Sequence, residues 1–286
     1  MKFIIGIIMV SAAVLGGYLA AGGDLLALWQ PFELVIIFGG AVGAFIIANP
    51  GKVVKDTLGA LPLLLKGTKH NKQIYMDLLG LMYALFSKSR KEGLMALEGD
   101  IDEPHESEIF KTYPKLSSNH HLIDFICDYL RLMVGGNMNA FELEGLMDVE
   151  LDTHHAESHK ASAAVTMMGD GLPAFGIVAA VMGVVITMSY ISEPPEVLGH
   201  HVGAALVGTF LGILLSYGFV GPMGNAMAAH AEEDSKLFEC AKVCIMATLN
   251  GYTPQIAVEF GRKALYSDVR PGFFELEEYV KGGPKE

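Results

Sequence analysis

GLPAFGIVAAVMGVVITMSYIS, Gly171–Ser192, contains no Lys, Arg, Asp or Glu, and its length decides the fold. A hydrocarbon core about 30 Å thick takes roughly 20 apolar helical residues to cross. Three more stretches share the property: Phe3–Gly23, Leu34–Gly51 and Val197–Ala231. They pair through two short connectors, Asp24–Glu33 and Glu193–Glu196, which hold carboxylates but no base. All 20 Lys and Arg lie elsewhere, in Met1–Lys2, in Lys52–Asp170 or after Ala231. Loops rich in Lys and Arg stay in the cytoplasm. The pattern predicts an all-α integral membrane protein with four transmembrane helices, a helical cytoplasmic domain and both termini inside.

The expected order begins with a transmembrane hairpin over residues 1–51, with spans at about 3–22 and 34–50. A cytoplasmic helical domain follows over 52–170. A second hairpin covers 171–231, with spans at about 171–191 and 201–222, and a cytoplasmic helical segment closes the chain over 232–286. The first apolar run is longer than the core of a signal peptide and no polar cleavage region follows it, so it reads as a retained span.

A net charge of −12 opposes a nucleic-acid partner, because phosphate is repelled. The three cysteines, Cys127, Cys240 and Cys244, fall on the cytoplasmic side, where disulfides are rare. Cys240 and Cys244 stand four apart on an expected helix and read as packing residues. No phosphate-cradling glycine motif is present, so nucleotide chemistry has no support, and no cofactor is implied.

The insert is patterned for helices. Gln73–Arg90 puts Ile74, Leu78, Leu85 and Phe86 near one face, and Leu122–Val134 repeats that spacing before Gly135-Gly136 ends it. Asn139 with Glu142 forms a capping pair ahead of a long run from Ala140 to Met168. Glu232–Asn250 and Pro254–Leu265 read as helices joined by a turn with Thr253 as cap, and the tail Lys281–Glu286 as frayed.

No span places an ionisable residue well inside the bilayer, although ion-conducting proteins generally do so. Either the chain conducts nothing or another chain brings the carboxylate. Gly208, Gly212 and Ser216 form a small-residue stripe, with Gly176, Ala180 and Gly183 as its counterpart, and such stripes admit a close partner helix. Thr209 lies beside the stripe, and its plainest role is a bond back to its own helix. Pro173 and Pro222 read either as bends or as helix ends. Asp170 reads as a helix-start carboxylate, and Arg90 and Glu98 as solvated charges. Glu150, Asp152, His154, His155, Glu157 and His159 include an i, i+4 histidine pair able to hold a transition metal, against the plainer reading of a solvated face. His200-His201 sits at the outer mouth of the fourth span, as an interfacial anchor or an external pH sensor.

ALVGTFLGILLSYGFVGP (Ala205–Pro222) resembles the signature segment of the MotA family, the larger membrane subunit of the flagellar stator. LPAFGIVAAVMGVV (Leu172–Val185), LNGYTPQIAVEFGRKAL (Leu249–Leu265), GGYLAAGG, the KSR at Lys88–Arg90 and ESEIF at Glu106–Phe110 are similar to that family as well. The resemblance implies five copies, a homo-pentamer, around two copies of a MotB-type subunit in the bacterial inner membrane. The MotB-type helix would supply the missing carboxylate. Thr209 and Ala180 would then line the ion path, Pro173, Pro222 and Asp170 would couple ion binding to movement, and Arg90 and Glu98 would engage the rotor protein FliG. Glu150 also matches a family acidic position. Ala180 and Gly208 leave few oxygen ligands for sodium, which points to a proton. Thr187 and Ser189 keep a sodium-driven, PomA-like stator open, and an ExbB/TolQ-like energiser of an outer-membrane system is the other alternative. A membrane scaffold without ion flux is the reading from outside that class.

Overall fold

The computed structural model describes residues 2–66, 71–136 and 138–283. Among these residues every regular element is a helix. In chain order they are α1 (Lys2–Ala20), α2 (Leu25–Leu28), α3 (Pro31–Ala48), α4 (Gly51–Lys66), α5 (Lys72–Glu92), α6 (Glu98–Asp102) and α7 (Glu108–Lys111). Then follow α8 (Pro114–Ser117), α9 (His120–Gly135), α10 (Ala140–Met188), α11 (Pro195–Leu215), α12 (Gly221–Leu249), α13 (Pro254–Ala264) and α14 (Phe273–Gly282). The chain divides into two compact units, residues 1–68 with 157–230 and residues 69–156 with 231–286.

The first unit is built on four helical stretches long and apolar enough to cross a membrane: Lys2–Ala20, Leu25–Ala48, the apolar part of Ala140–Met188 and that of Pro195–Leu249. Its small core gathers Ile37 and Ala41 of α3, Leu172 and Ala179 of α10, and Val220 and Met227. Most of its apolar surface faces outward instead. No residue of α1 is buried, and Ile8, Ile47, Val185 and Leu206 are all exposed. In water such faces would have to be covered, whereas lipid or neighbouring helices satisfy them at no cost.

The first connector is more structured than its charge suggests. Asp24 caps α2 by accepting from the Leu26 N–H at 2.9 Å, and Pro31 opens α3, so Glu33 lies in the first turn of a span rather than in a loop.

The second unit encloses α5. Every residue from Tyr75 to Met82 is buried, so the one-sided face expected for this helix is in fact a fully surrounded central element. α13 and α14 pack against it, and the same core takes in Leu122, Phe125, Ile126 and Tyr129 of α9 and Leu237, Cys240, Ala241 and Cys244 of α12. α9 ends at Gly136, whose φ of 65° is the left-handed conformation that favours glycine. α10 opens on the expected cap: the Asn139 N–H donates to Glu142 and the Glu142 N–H to Asn139, both at 3.0 Å.

A last helix, α14, has no counterpart in the periodicity. It docks onto α5 through polar contacts: the Tyr279 hydroxyl donates to Asp77 at 2.5 Å and Lys72 pairs with Glu275 at 2.6 Å. Lys281 and Gly282 of the tail belong to α14, and residues 284–286 lie outside the described residues.

The cysteines are packing residues. All three are buried thiols, and burial pushes Cys127 up to about 12. Cys244 beside it, together with burial, pushes Cys240 up as well. Gly261 is what makes room for the pair, because a Cβ there would sit 2.2 Å from the Cys244 sulfur.

Candidate functional site

The site forms where α10 and α11 cross in the first unit. A Cβ on Gly176 would lie 2.9 Å from the Gly208 carbonyl oxygen and 3.1 Å from the Gly212 Cα. One on Gly212 would lie 2.8 Å from the Leu172 carbonyl oxygen and 2.9 Å from the Gly176 Cα. These are backbone contacts that no side-chain rotation relieves, so both positions need glycine. The small-residue stripe, read from sequence as a berth for a close partner helix, is therefore used largely within this chain.

Closer to the N-terminal end of α11, Gly208 faces Ala179 and Ala180, and a Cβ on Gly208 would lie 3.2 Å from both the Ala179 Cβ and the Ala180 nitrogen. Ala180 and Thr209 are thus brought to one level, and both remain half-exposed. Thr187 and Thr166 return their hydroxyls to carbonyls four residues back, at 2.8 and 3.0 Å. Thr209, for which the same bond is the plain expectation, makes no such bond among the described residues. Its hydroxyl stands open beside the crossing.

Glu33 corrects the expectation that no ionisable group enters the bundle. Its side chain reaches from α3 to the crossing, where a Cβ on Gly208 would meet its Oε2 at 2.7 Å and one on Gly183 would meet its Oε1 at 3.6 Å. Oε2 is buried without a hydrogen-bond partner among the described residues. At 1.5 Å per residue, Gly208 lies about 20 Å along α11 from Pro195. The signal available in the sequence is Pro31, which prefers the first position of a helix and so moves the start of the span ahead of Glu33.

Asp170, Pro173 and Pro222 gather at the other end of the crossing. Pro173 lies inside the unbroken α10, which rules out its reading as a helix end. Asp170 is exposed in the same helix, far from its start, so it caps nothing. Pro222 lies in the first turn of α12 directly after a π-helical turn, Ser216–Val220. Proline has no N–H to offer the carbonyl four residues back, and a widened turn is one way a helix absorbs that loss. The nearby glycines are tightly placed. A Cβ on Gly221 would be crowded by the Ser216 carbonyl oxygen at 3.1 Å, one on Gly169 would lie 3.3 Å from the Gly221 nitrogen, and one on Gly224 would lie 2.5 Å from the Thr166 hydroxyl.

In the second unit, Arg90 lies in the last turn of α5 and Glu98 begins α6, and both are exposed. Neither forms an ion pair among the described residues, whereas nearby Lys88 is held by Asp100 at 2.6 Å and Arg131 by Asp102 at 2.9 Å. Beside Arg90 is a cleft of about 230 Å³ lined by Phe86, Leu94, Met133, Tyr252 and Pro254. Glu150 accepts from the Tyr129 hydroxyl at 2.7 Å, a link between α9 and α10. His154 packs over the Phe238 ring at 4.1 Å. Near the start of α11, His201 stacks on Tyr190 at 4.3 Å.

Comparison with known proteins places these features in context. Residues 4–93 match the family model described as Motility protein A N-terminal, and residues 117–240 match that of the MotA/TolQ/ExbB proton channel family. Motility protein A of Escherichia coli is 52% identical over 281 residues, covering 98% of this chain and 95% of that protein. Chemotaxis protein LafT of Vibrio parahaemolyticus is 39% identical, with 98% of each chain covered. The flagellar MotAB stator complex from Bacillus subtilis has a chain that superposes with a TM-score of 0.75 at 26% identity, covering 94% of this chain and 98% of that one. A chain of the C. jejuni MotAB structure reaches 0.77 at 19% identity, over 93% and 96% of the two chains, and shares the fold.

Proposed function

The chain belongs to the motility protein A family, and from that membership we propose that it is the larger membrane subunit of a flagellar stator, which passes an ion across the membrane with a MotB-type partner and converts the flow into torque. The observation that carries the site reading is the open Thr209 hydroxyl, level with Ala180 on a half-exposed face of the α10–α11 crossing. A partner helix laid on that face would bring its own carboxylate beside a hydroxyl that no internal bond occupies. Ion transfer then needs only short hops between oxygens.

A proton is the coupling ion that this lining favours. Ala180, Gly208 and Gly176 contribute no side-chain oxygen, and Thr187 already gives its hydroxyl hydrogen to Gly183 at 2.8 Å. A sodium ion would need several oxygens in place of its hydration shell, while a proton needs one acceptor and a water chain. The outward apolar faces of α1, α10 and α11 suit further copies of the chain as well as lipid, in line with five copies around two partners. Asp170, Pro173 and Pro222 lie where α10 meets the π-turn, and their proposed role is to let α11 and α12 shift relative to α10 when the ion is bound. Four spans in the bacterial inner membrane, with both termini in the cytoplasm, put Arg90 and Glu98 on the side of the rotor.

The rotor contact is tested by exchanging charges. Arg90→Glu lowers swimming speed by about threefold or more, since a like charge now meets the rotor surface. A compensating reversal on FliG restores most of the speed, and Arg90→Lys has little effect. Swimming assays with matched membrane levels of each variant check this. Unchanged speed in Arg90→Glu, with no FliG reversal that distinguishes it from the parent, removes Arg90 from the rotor interface.

A further inference from the structure

We propose that Glu33 is a proton-carrying station of the ion path, on the outer side of the level set by Thr209 and Ala180, so that the chain contributes a carboxylate of its own; this rests on the stator reading above. Three observations converge on it. The carboxylate leaves the first turn of α3 and ends against Gly208, the neighbour of Thr209. Its Oε2 is buried with no hydrogen-bond partner among the described residues, an arrangement whose free-energy cost needs a reason. Gly208 is the position where a methyl group would displace it, so glycine on α11 keeps the space that the carboxylate fills.

Among the described residues, the surroundings leave Glu33 as the sole group able to hold a proton there. The segments packed around it, Leu25–Leu28, Gly171–Met188 and Ala204–Leu215, contain no acid, base or imidazole, and neither does the rest of α3. The nearest titratable side chains along the chain from these segments are Asp24 ahead of α2, Tyr190 and Glu193 just past α10, Glu196, His200 and His201 in the first part of α11, Tyr217 just past α11, and Asp170 well back along α10. No cation stands on these segments to balance the carboxylate, so a proton arriving from outside is its available counter-charge. The step is a simple transfer: an O–H bond of an outer hydronium breaks and one forms on Glu33. That O–H bond then breaks as the proton passes to an inner water admitted at the level of Thr209, which leaves the carboxylate ready for the next proton. A helix-start carboxylate that merely balanced the α3 dipole would be better solvated pointing away from the crossing.

The test uses the full chain expressed with its partner in cells that lack their own stators, at matched membrane levels. Glu33→Gln keeps the shape but cannot relay a proton. Expected is a fall in torque at low external proton concentration of about tenfold, recovered in part by acidifying the medium, and near-normal behaviour of Glu33→Asp. A packing role makes a different forecast for the pair Glu33→Ala with Gly208→Ala, in which the new methyl fills the vacated space. If Glu33 only packs, the double variant regains what Glu33→Ala loses; if it relays protons, the double variant stays impaired. Wild-type torque and pH dependence in Glu33→Gln, or rescue by the double variant, overturns the proposal. Because the parent chain drives motility in the same cells, either result leaves the stator reading separately testable.

Discussion

Cells carrying Gly212→Val stop swimming, and the amount of folded protein in their membranes falls. The valine Cβ would start 2.8 Å from the Leu172 carbonyl oxygen and 2.9 Å from the Gly176 Cα, so two helix backbones must separate. Overpacking in a well-packed core costs about 1–3 kcal/mol even where side chains can yield, and a backbone contact yields least. In a bilayer the loss falls on packing itself, since no hydrophobic driving force holds the helices together once they part. Gly203, on the same helix, is the built-in control: a Cβ there meets nothing within 4 Å, and Gly203→Ala leaves both membrane level and swimming unchanged. Detergent-extracted protein run on a sizing column, together with swimming speed, reads both outcomes. Normal folding of Gly212→Val would show that the crossing opens freely and is not the fixed scaffold of the site.

Thr209→Val is the second variant with a large effect, and its logic is the opposite. Valine matches threonine in shape, and no hydrogen bond among the described residues is broken by the change. Folding and membrane level therefore stay as they were. Removing one oxygen that steadies the moving ion by about 1.4 kcal/mol slows transfer about tenfold. Torque drops accordingly, and Thr209→Ser restores it. Thr187→Val gives the contrasting pattern, because that hydroxyl is bonded to Gly183 at 2.8 Å within the helix. Torque in Thr209→Val equal to the parent's, at equal membrane level, takes Thr209 out of the ion path.

Charge exclusion makes the membrane helices legible from residue order alone, because a slab about 30 Å thick and apolar throughout tolerates few alternatives. The caps at Asn139, Thr253 and Gly136 are legible for a local reason: each is fixed by residues within one turn. What escapes is set by distant partners. α5 carries an amphipathic pattern, yet α13 and α14 pack on it within a core shared with α9 and α12, and only tertiary packing makes Asp77 a buried anchor for Tyr279. The glycine stripe announces close packing but not against which helix. Glu33 is visible as a charge at the rim, and its reach to Gly208 depends on how α3 lies on α10 and α11, which no periodicity encodes. On the proposal for Glu33, the charge that serves the ion path is not wholly supplied by another chain.

The central claim is ion-driven torque, and one complementation measurement tests it most directly. The chain is expressed with a MotB-type partner in flagellated cells that lack both stator subunits, and swimming speed is followed as external pH and external sodium are varied independently. A proton-driven stator restores swimming only when both proteins are present, with a speed that follows the proton gradient and ignores sodium at constant pH. Two proteins correctly inserted in the membrane and cells that still do not swim would contradict it, and a speed that tracks sodium at constant pH would contradict the proton.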